Sequence, residues 1–254
     1  MHILVTAGGT SEWIDSVRVI TNLSTGRLGS MIADRFTMAS EVSRVSFVAS
    51  KRSYQPLKSD KIKRYFADTH QEVQTVIEDI IQNDPPDVII HSMAVSDYHV
   101  QSLVSLETVA QSLAQWLSAL SRVPTAEEIA GFIHDYPTVD TSTKVSSRIH
   151  HPLLLLAPNS KIIHSLRSLA PHAVIVGFKL AHTDSVDELF EIAHRLLVDN
   201  HCDFVLANQV QEVNDTSHRA YLLDSSKNYH LWSSKEAIAY GIVEEVLKLK
   251  KERG

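Results

Sequence analysis

The first apolar run of the chain, "HILVTAG", shows no alternation of faces and ends at two adjacent glycines, as a strand buried on both sides does. Runs of the same kind recur at "VSRVSFVAS" (42–50), "PDVIIHSMAVSDY" (86–98), "AVIVGFKLA" (173–181) and "CDFVLANQ" (202–209), with "KIKRYFAD" (61–68) as a shorter strand. Between them the apolar positions change to helical spacing. Leu28, Ile32 and Phe36 carry it in "GRLGSMIADRFTMAS" (26–40), followed by "HQEVQTVIEDIIQN" (70–83), "SVDELFEIAHRLLVDN" (185–200) and "SKEAIAYGIVEEVLKLKKERG" (234–254). Strand and helix alternating at this pace predict the α/β class, with a doubly wound, mostly parallel, Rossmann-like sheet covered by helices. Ligands of such sheets sit beyond the C-terminal ends of the strands.

Between Tyr98 and about Ala173 the alternation breaks. "SLETVAQSLAQWLSALSR" (105–122) and "TAEEIAGFIHDY" (125–136) have helical periods, and "PTVDTSTKVSSRIHH" (137–151) is an exposed Ser/Thr-rich connector. A single domain over 1–254 is expected, with a helical insertion and a mobile lid segment at 99–150. Leu113, Trp116, Leu117 and Leu120 form an apolar stripe on the first inserted helix that needs cover from the same chain or from a second copy.

Composition narrows the function classes. At 254 residues, 44% hydrophobic and 21% charged, the chain can bury one sizeable core with an attached subdomain. A net charge of -6 argues against nucleic acid as a partner, which calls for a basic stripe. The single cysteine, Cys202, excludes an internal disulfide and any Cys-cluster metal site, which fits a reducing compartment. No basic segment precedes an apolar leader, and no apolar run approaches the length of a membrane span, so a soluble, cytoplasmic protein with no membrane partner is expected. The histidines lack the i, i+4 pairing with an acid that a zinc site shows, and no protein-bound metal is expected. The basic stretch "KRSYQPLKSDKIKR" (51–64) reads as a solvated face.

Four of the eight glycines fall in "TAGGTSEWIDSVRVITNLSTGRLG" (6–29), directly after the first strand. A dinucleotide loop wants G-x-G-x-x-G there, with an acidic residue after the second strand; Gly8 and Gly9 are adjacent, and the second strand ends in "VASKR", where Arg52 is at best a weak match to a 2′-phosphate contact. No G-x-x-x-x-G-K-[ST] phosphate loop occurs. What remains is a long polar loop in which Ser24 or Thr25 caps the next helix and Gly26 leaves its first amides open to an anion, with Asp15, Arg18 and Asn22 close in sequence.

This segment resembles the N-terminal signature of the phosphopantothenate–cysteine ligase family, G-G/P-T-x-E-x-I-D-x-V-R-x-I-x-N-x-S-x-G-x-x-G. "SMAVSDY" (92–98) is similar to that family's A-A-V-A-D-Y, "KVSS" (144–147) to its lid motif, and "VGFKLA" (176–181) and "DFVLAN" (203–208) to its V-G-F and V-A-N-D strand ends. The resemblance implies ligation of 4′-phosphopantothenate to L-cysteine through an acyl-nucleotidylate in coenzyme A biosynthesis, with CTP preferred over ATP as co-substrate, Mg²⁺ accompanying the nucleotide, and a homodimer. It assigns Asn22 and Lys144 to catalysis and Arg18, Asn22, Gly26 and Ala94 to the substrate, while Gly26 and Gly29 let substrate approach the helix start. Nucleotide contacts fall on Gly8, Gly9, Ser92, Met93, Ala94, Asp97, Lys144, Lys161, Ile162 and Phe178.

The chain departs from that pattern in places. Ser146 and Ser147 stand where other members carry further lid lysines. Alignment on "CDFVLANQ" puts Leu196 and Asn200 where two helix lysines are expected, and Gln209 replaces the last acid, so Lys161, Lys179 or Arg148 would have to meet the triphosphate. Two alternatives therefore stay open. One is an NAD(P)-dependent short-chain-type oxidoreductase, which needs a Tyr-x-x-x-Lys pair that is not expected here. The other is a degenerate nucleotide-binding paralogue.

Overall fold

The computed structural model describes residues 1–212 and 218–253; Gly254, the last residue of the expected C-terminal helix, lies outside the described residues. The first half of the chain holds β1 (His2–Ala7), β2 (Ser11–Trp13), β3 (Val19–Thr21), α1 (Arg27–Thr37), β4 (Arg44–Ala49), β5 (Ile62–Phe66), α2 (His70–Asn83), β6 (Val88–His91), β7 (Tyr98–Ser105), α3 (Leu106–Ala119) and α4 (Ala126–His134). The second half holds β8 (Pro152–Pro158), α5 (Ile162–Leu169), β9 (Val174–Ala181), α6 (Val186–Asp199), β10 (Phe204–Gln209), β11 (Ala220–Leu223), β12 (Tyr229–Trp232) and α7 (Lys235–Arg253). The chain divides into two compact units, the first from residues 1–10, 22–95 and 161–254 and the second from 11–21 and 96–160. The second unit thus takes in the expected insertion together with the β2–β3 hairpin.

In the first unit eight strands form one sheet in the order β12-β11-β10-β9-β6-β1-β4-β5. The six contiguous strands β10-β9-β6-β1-β4-β5 are parallel, β5 forming one edge of the sheet; numbered among themselves in chain order and read from β5, they run 3-2-1-4-5-6, the doubly wound order. Because successive side chains of a strand face opposite ways, β1 splits its apolar residues between two cores. Ile3, Val5 and Ala7 pack with Phe36 of α1 and Ile242 of α7. Leu4 packs on the other face with Ile77 of α2, Leu166 of α5 and Leu189 of α6. The helices begin where their sequences cap them: Thr69 and Glu72 form a reciprocal capping box on α2, and Ser185 accepts from the Glu188 N–H on α6.

The antiparallel edge hairpin β11–β12 escapes the sequence pattern because each strand has only four residues, too few to show a period. The basic stretch 51–64 is held locally. The Lys61 ammonium donates to the Thr37 and Ala39 carbonyls at the end of α1, and Arg64 donates to the Pro56 and Leu57 carbonyls.

In the second unit the antiparallel pair β7–β8 carries the two expected helices, α3 and α4. β7 lies almost wholly in the segment expected to be a helical insertion, and β8 follows the expected connector, in a stretch to which the sequence pattern assigns no element. Residues 98–105 form β7, not helix, because "YHVQSLVS" pairs with the apolar run "PLLLLAP" across 47 residues, an interaction no local window reveals. Trp116 of α3 stacks on Phe132 of α4 with ring centroids 5.1 Å apart. Leu117 stays exposed, and Leu113 and Leu120 are half-buried. Among the described residues no helix is long and apolar enough to cross a membrane.

The base of the first unit generates a stability prediction. The buried Asp203 carboxylate accepts from the Arg167 guanidinium at 2.8 Å, the Arg253 guanidinium at 2.6 Å and the Ile175 N–H at 2.7 Å. Asp203→Ala leaves Arg167 without its carboxylate and is expected to cost about 3 kcal/mol, whereas Arg253→Ala, at a half-exposed partner, should cost under about 1 kcal/mol. Urea unfolding of the two variants checks the ranking, and equal losses would refute it.

Candidate active site at the turn of the sheet

β1 and β6 lie side by side at the point where the strand order reverses, so the connections beyond their C-terminal ends leave in opposite directions and open a crevice. The strands continue past their ends as a single bridge between Gly9 and Ala94. There the Ala94 N–H donates to the Gly8 carbonyl at 2.8 Å and the Thr10 N–H donates to the Ala94 carbonyl at 3.1 Å. Asn22 joins this frame twice. Its backbone N–H donates to the Thr10 carbonyl at 3.2 Å, and its side-chain nitrogen donates to the Ala94 carbonyl at 3.3 Å. The exposed Asn22 amide therefore stands at the rim with its nitrogen turned toward the end of β6.

The glycines build this rim by contact with protein. A Cβ on Gly8, whose φ is +89°, would fall 1.8 Å from the Ser53 hydroxyl oxygen, and one on Gly9 would fall 2.2 Å from the Asn22 carbonyl. A Cβ on Gly26, whose φ is +73°, would meet the Gly8 nitrogen at 2.9 Å, and one on Gly29 would meet both Ala7 Cβ and Ser92 Oγ at 2.6 Å. All four glycines are buried, and their first neighbours are other segments of the chain, so the fold itself requires bare backbone at Gly26 and Gly29. The α1 cap differs from expectation. Gly26 itself is the N-cap with no side-chain bond, and Thr25 Oγ1 only reaches the Arg27 N–H at 3.4 Å, because the close stacking on Gly8 demands a left-handed residue there.

Beneath the rim lies a group of polar side chains, of which sequence reasoning singled out only Ser92. The Thr6 hydroxyl pairs with His91 Nδ1 at 3.0 Å and accepts from the Met93 N–H at 3.3 Å, while the Ser92 hydroxyl donates to the Thr6 carbonyl at 2.5 Å. Burial pushes the His91 imidazole down to about 4, which makes it neutral near pH 7. The only signal for it in sequence is a histidine at the polar end of an apolar strand, more often a core residue than a site residue.

The family model of the DNA/pantothenate metabolism flavoprotein C-terminal domain matches residues 1–126 and 102–249. The chain belongs to this family. It is 25% identical over 251 residues to the coenzyme A biosynthesis bifunctional protein CoaBC of Thermococcus kodakarensis, and 26% identical over 252 residues to the protein of that name from Methanocaldococcus jannaschii. Each match covers 98% of this chain and 51% of the relative, so the chain spans about half the length of these curated relatives. The solved structure of the DNA/pantothenate metabolism flavoprotein from Streptococcus pneumoniae is similar at 29% identity with a TM-score of 0.81, covering 98% of this chain and 99% of that one.

Within this family fold the other expected site residues take definite places. Lys161 is the exposed N-cap of α5, a helix that runs back against the strands and so starts on the ligand side of the sheet. The Ile162 and Met93 side chains are buried in the core of the α2, α5 and α6 face. Phe178 is half-buried against the α1 and α7 core. Leu196 and Asn200 close α6, where the Asn200 nitrogen donates to the Leu196 carbonyl at 2.7 Å and the chain turns into the start of β10. They lie by the N-terminal end of β10, at the opposite end of the parallel strands from the crevice. Gln209, at the end of β10, is tied to Thr183 through its side-chain nitrogen, 2.8 Å from the Thr183 carbonyl.

Two residues bear on the oxidoreductase alternative. Tyr54 and Lys58 do have Tyr-x-x-x-Lys spacing, contrary to expectation, but they sit in the irregular, exposed segment after β4 with Pro56 between them, not on one face of a helix. Ser53 packs against both Gly8 and Gly26, and the family to which the chain belongs is not that of these oxidoreductases, so this alternative is dropped.

The second unit holds Arg18, Asp97 and Lys144. Arg18 is exposed but anchored: its Nε donates to Asp15 Oδ2 at 2.9 Å, and its Nη2 reaches the Val145 carbonyl at 3.2 Å. The buried Asp15 also accepts from the Val145 N–H at 3.0 Å, and the hydrogen bond from Arg18 holds its carboxyl far below the usual range. The lid motif is thus clipped at the buried Val145, between exposed Lys144 and Ser146. Asp97 is exposed and its carbonyl accepts from the Asn159 N–H at 2.8 Å.

Gly9→Ala is expected to push residues 22–24 off the end of β1 and cost roughly 1–3 kcal/mol by overpacking. Gly131→Ala, in α4 with nothing within 4 Å of the added carbon, should instead stabilise its helix by up to about 1 kcal/mol. Denaturant midpoints that move the same way for both would contradict this account of the glycines.

Proposed function

We propose that the chain ligates 4′-phosphopantothenate to L-cysteine, a step of coenzyme A biosynthesis, with CTP as the activating nucleotide. The observation that carries this reading is the Asn22 amide held on the Ala94 carbonyl at the turn of the sheet, in a segment with the ligase family's spacing. Family membership and the names of the CoaBC relatives support the pathway.

A free carboxylate is a poor acyl donor. In the first step a carboxylate oxygen of phosphopantothenate bonds to the α-phosphorus of CTP while the bond to the β-phosphate oxygen breaks and pyrophosphate leaves. In the second, the cysteine amine attacks the acyl carbon, CMP leaves with the bonding electrons, and the amine gives up a proton. Asn22 donates to the acyl oxygen without adding negative charge. Lys144 supplies the lid cation that offsets charge on the departing pyrophosphate.

Among the described residues no group of three or more His, Cys, Asp or Glu side chains could hold a metal ion. Mg²⁺ enters this proposal as the counter-ion of the nucleotide.

Asn22→Asp is expected to lower phosphopantothenate-dependent pyrophosphate release by roughly a hundredfold or more, with native-like melting, because a charged acceptor replaces the donor. Assays with CTP, ATP and no nucleotide test the co-substrate, and turnover unchanged in the variant takes Asn22 out of the site. Lys144→Gln should slow pyrophosphate release by about a hundredfold in single turnover while sparing amine attack. If Lys161→Gln is disabling and Lys144→Gln silent, the lid assignment is wrong.

The proposed assembly is a homodimer. α3 and α4 leave an open groove of about 510 Å³ lined by Trp116, Phe132 and Tyr136, and no side chain of α4 is buried. A helical pair so thinly covered is suited to a second copy of the chain. Analytical ultracentrifugation should give a dimer that Trp116→Glu dissociates; a fully active monomer of the unaltered chain would sink the claim.

A further inference from the structure

We propose that His91 is a positioning residue for the Asn22 amide, acting through the Thr6 hydroxyl and the end of β6. The inference starts from one proton. The Thr6 hydroxyl oxygen already accepts from the Met93 N–H at 3.3 Å, and its own proton has His91 Nδ1 as an acceptor 3.0 Å away. The imidazole then accepts at Nδ1 and carries its proton on Nε2. Its neutral state, imposed by burial, is the one that can accept.

The consequence travels along covalent and hydrogen-bonded neighbours. Thr6 lies in β1 opposite His91 in β6, and its side chain receives the backbone of Met93, the residue before Ala94. The Ser92 hydroxyl adds a second tie to the Thr6 carbonyl at 2.5 Å. Together these fix the angle at which the chain leaves β6 and hence where the Ala94 carbonyl points. That carbonyl accepts both the Thr10 N–H and the Asn22 side-chain nitrogen. Without an acceptor at position 91, the Thr6 hydroxyl would have to turn its proton elsewhere, in a place where an unmet polar group is costly, and the Met93 contact would loosen. A histidine that merely fills the core would affect stability and nothing at the rim.

The test uses the full chain and four substitutions. His91→Asn keeps an acceptor near Nδ1 and Thr6→Ser keeps the hydroxyl, whereas His91→Leu and Thr6→Val remove them. The kinetic arm rests on the ligase reading. His91→Leu and Thr6→Val should lower kcat by about tenfold or more with KM for phosphopantothenate within about twofold, and the double variant should be no worse than either. His91→Asn and Thr6→Ser should recover most of the loss.

The second arm needs no activity: the side-chain amide signals of Asn22 in a proton–nitrogen correlation spectrum should move in the Leu and Val variants and stay in place in the Asn and Ser variants. A lowered Tm with the Asn22 signals and kcat unmoved would overturn the proposal and leave His91 a core residue. If the unaltered chain shows no ligase activity, the functional reading fails while the amide signals still decide the positioning role. Should His91→Leu not fold, the nearly isosteric Thr6→Val carries both arms.

Discussion

Bare backbone at four points holds the ligand end of the parallel sheet together. Gly8 stacks under Ser53, Gly26 on Gly8, Gly9 under the Asn22 carbonyl, and Gly29 against Ala7 and Ser92, each at a separation that a single methyl group would violate. Interiors this close do not yield gradually, because repulsion rises steeply within a few tenths of an ångström. The end of β1, the end of β6, the loop before α1 and the loop after β4 are thereby locked to one another through protein contacts alone. A rim built this way is formed before any ligand arrives, which is the usual condition of small-molecule sites. It also explains why the glycine spacing fits no phosphate-loop pattern: the spacing serves the stacking of chain on chain.

The sequence showed the parallel strands and their helices because each is long enough to display its period, and the order 3-2-1-4-5-6 follows once every crossover is a helix on one face or the other. β2, β3, β11 and β12, at three or four residues, were invisible for the converse reason, and β7 with β8 because their pairing is distant in the chain. The candidate site was legible as a motif and illegible as a mechanism. Asn22 and Ala94 were named through the family resemblance of their motifs. The hydrogen bond between them, the Thr10 link that carries it, and the Thr6–His91 pair beneath it are products of strands that meet only in three dimensions.

Arg18 shows how a motif can be silent about the contacts that hold a residue in place. Its neighbour Asp15 is almost wholly buried and spends its oxygens on the Val17, Arg18 and Val145 amides and on the Arg18 guanidinium. An acid held by so many donors stays charged well below neutral pH, and its charge is what keeps Arg18 from turning away. The pair therefore acts as a clip for residue 145. In a Ser/Thr-rich run without hydrophobic period the one buried side chain, Val145, had no pattern to announce it.

The Ala94 carbonyl also gives a physical reason for a neutral amide at position 22. With the side-chain nitrogen 3.3 Å from that oxygen, the position accepts a donor and rejects an acceptor. An aspartate of the same shape would bring two oxygens with lone pairs to that distance, beside a carbonyl already committed to Thr10, and would have to swing out of the rim. Serine or alanine would be too short to reach, and a lysine too long to be held by a single backbone atom. The amide is thus selected from below by the strand end before any substrate selects it from above. On the proposed ligase reading, a substrate would meet a group whose orientation the fold has already set, and the polar pair buried under β6 would bear on chemistry at the surface by that route.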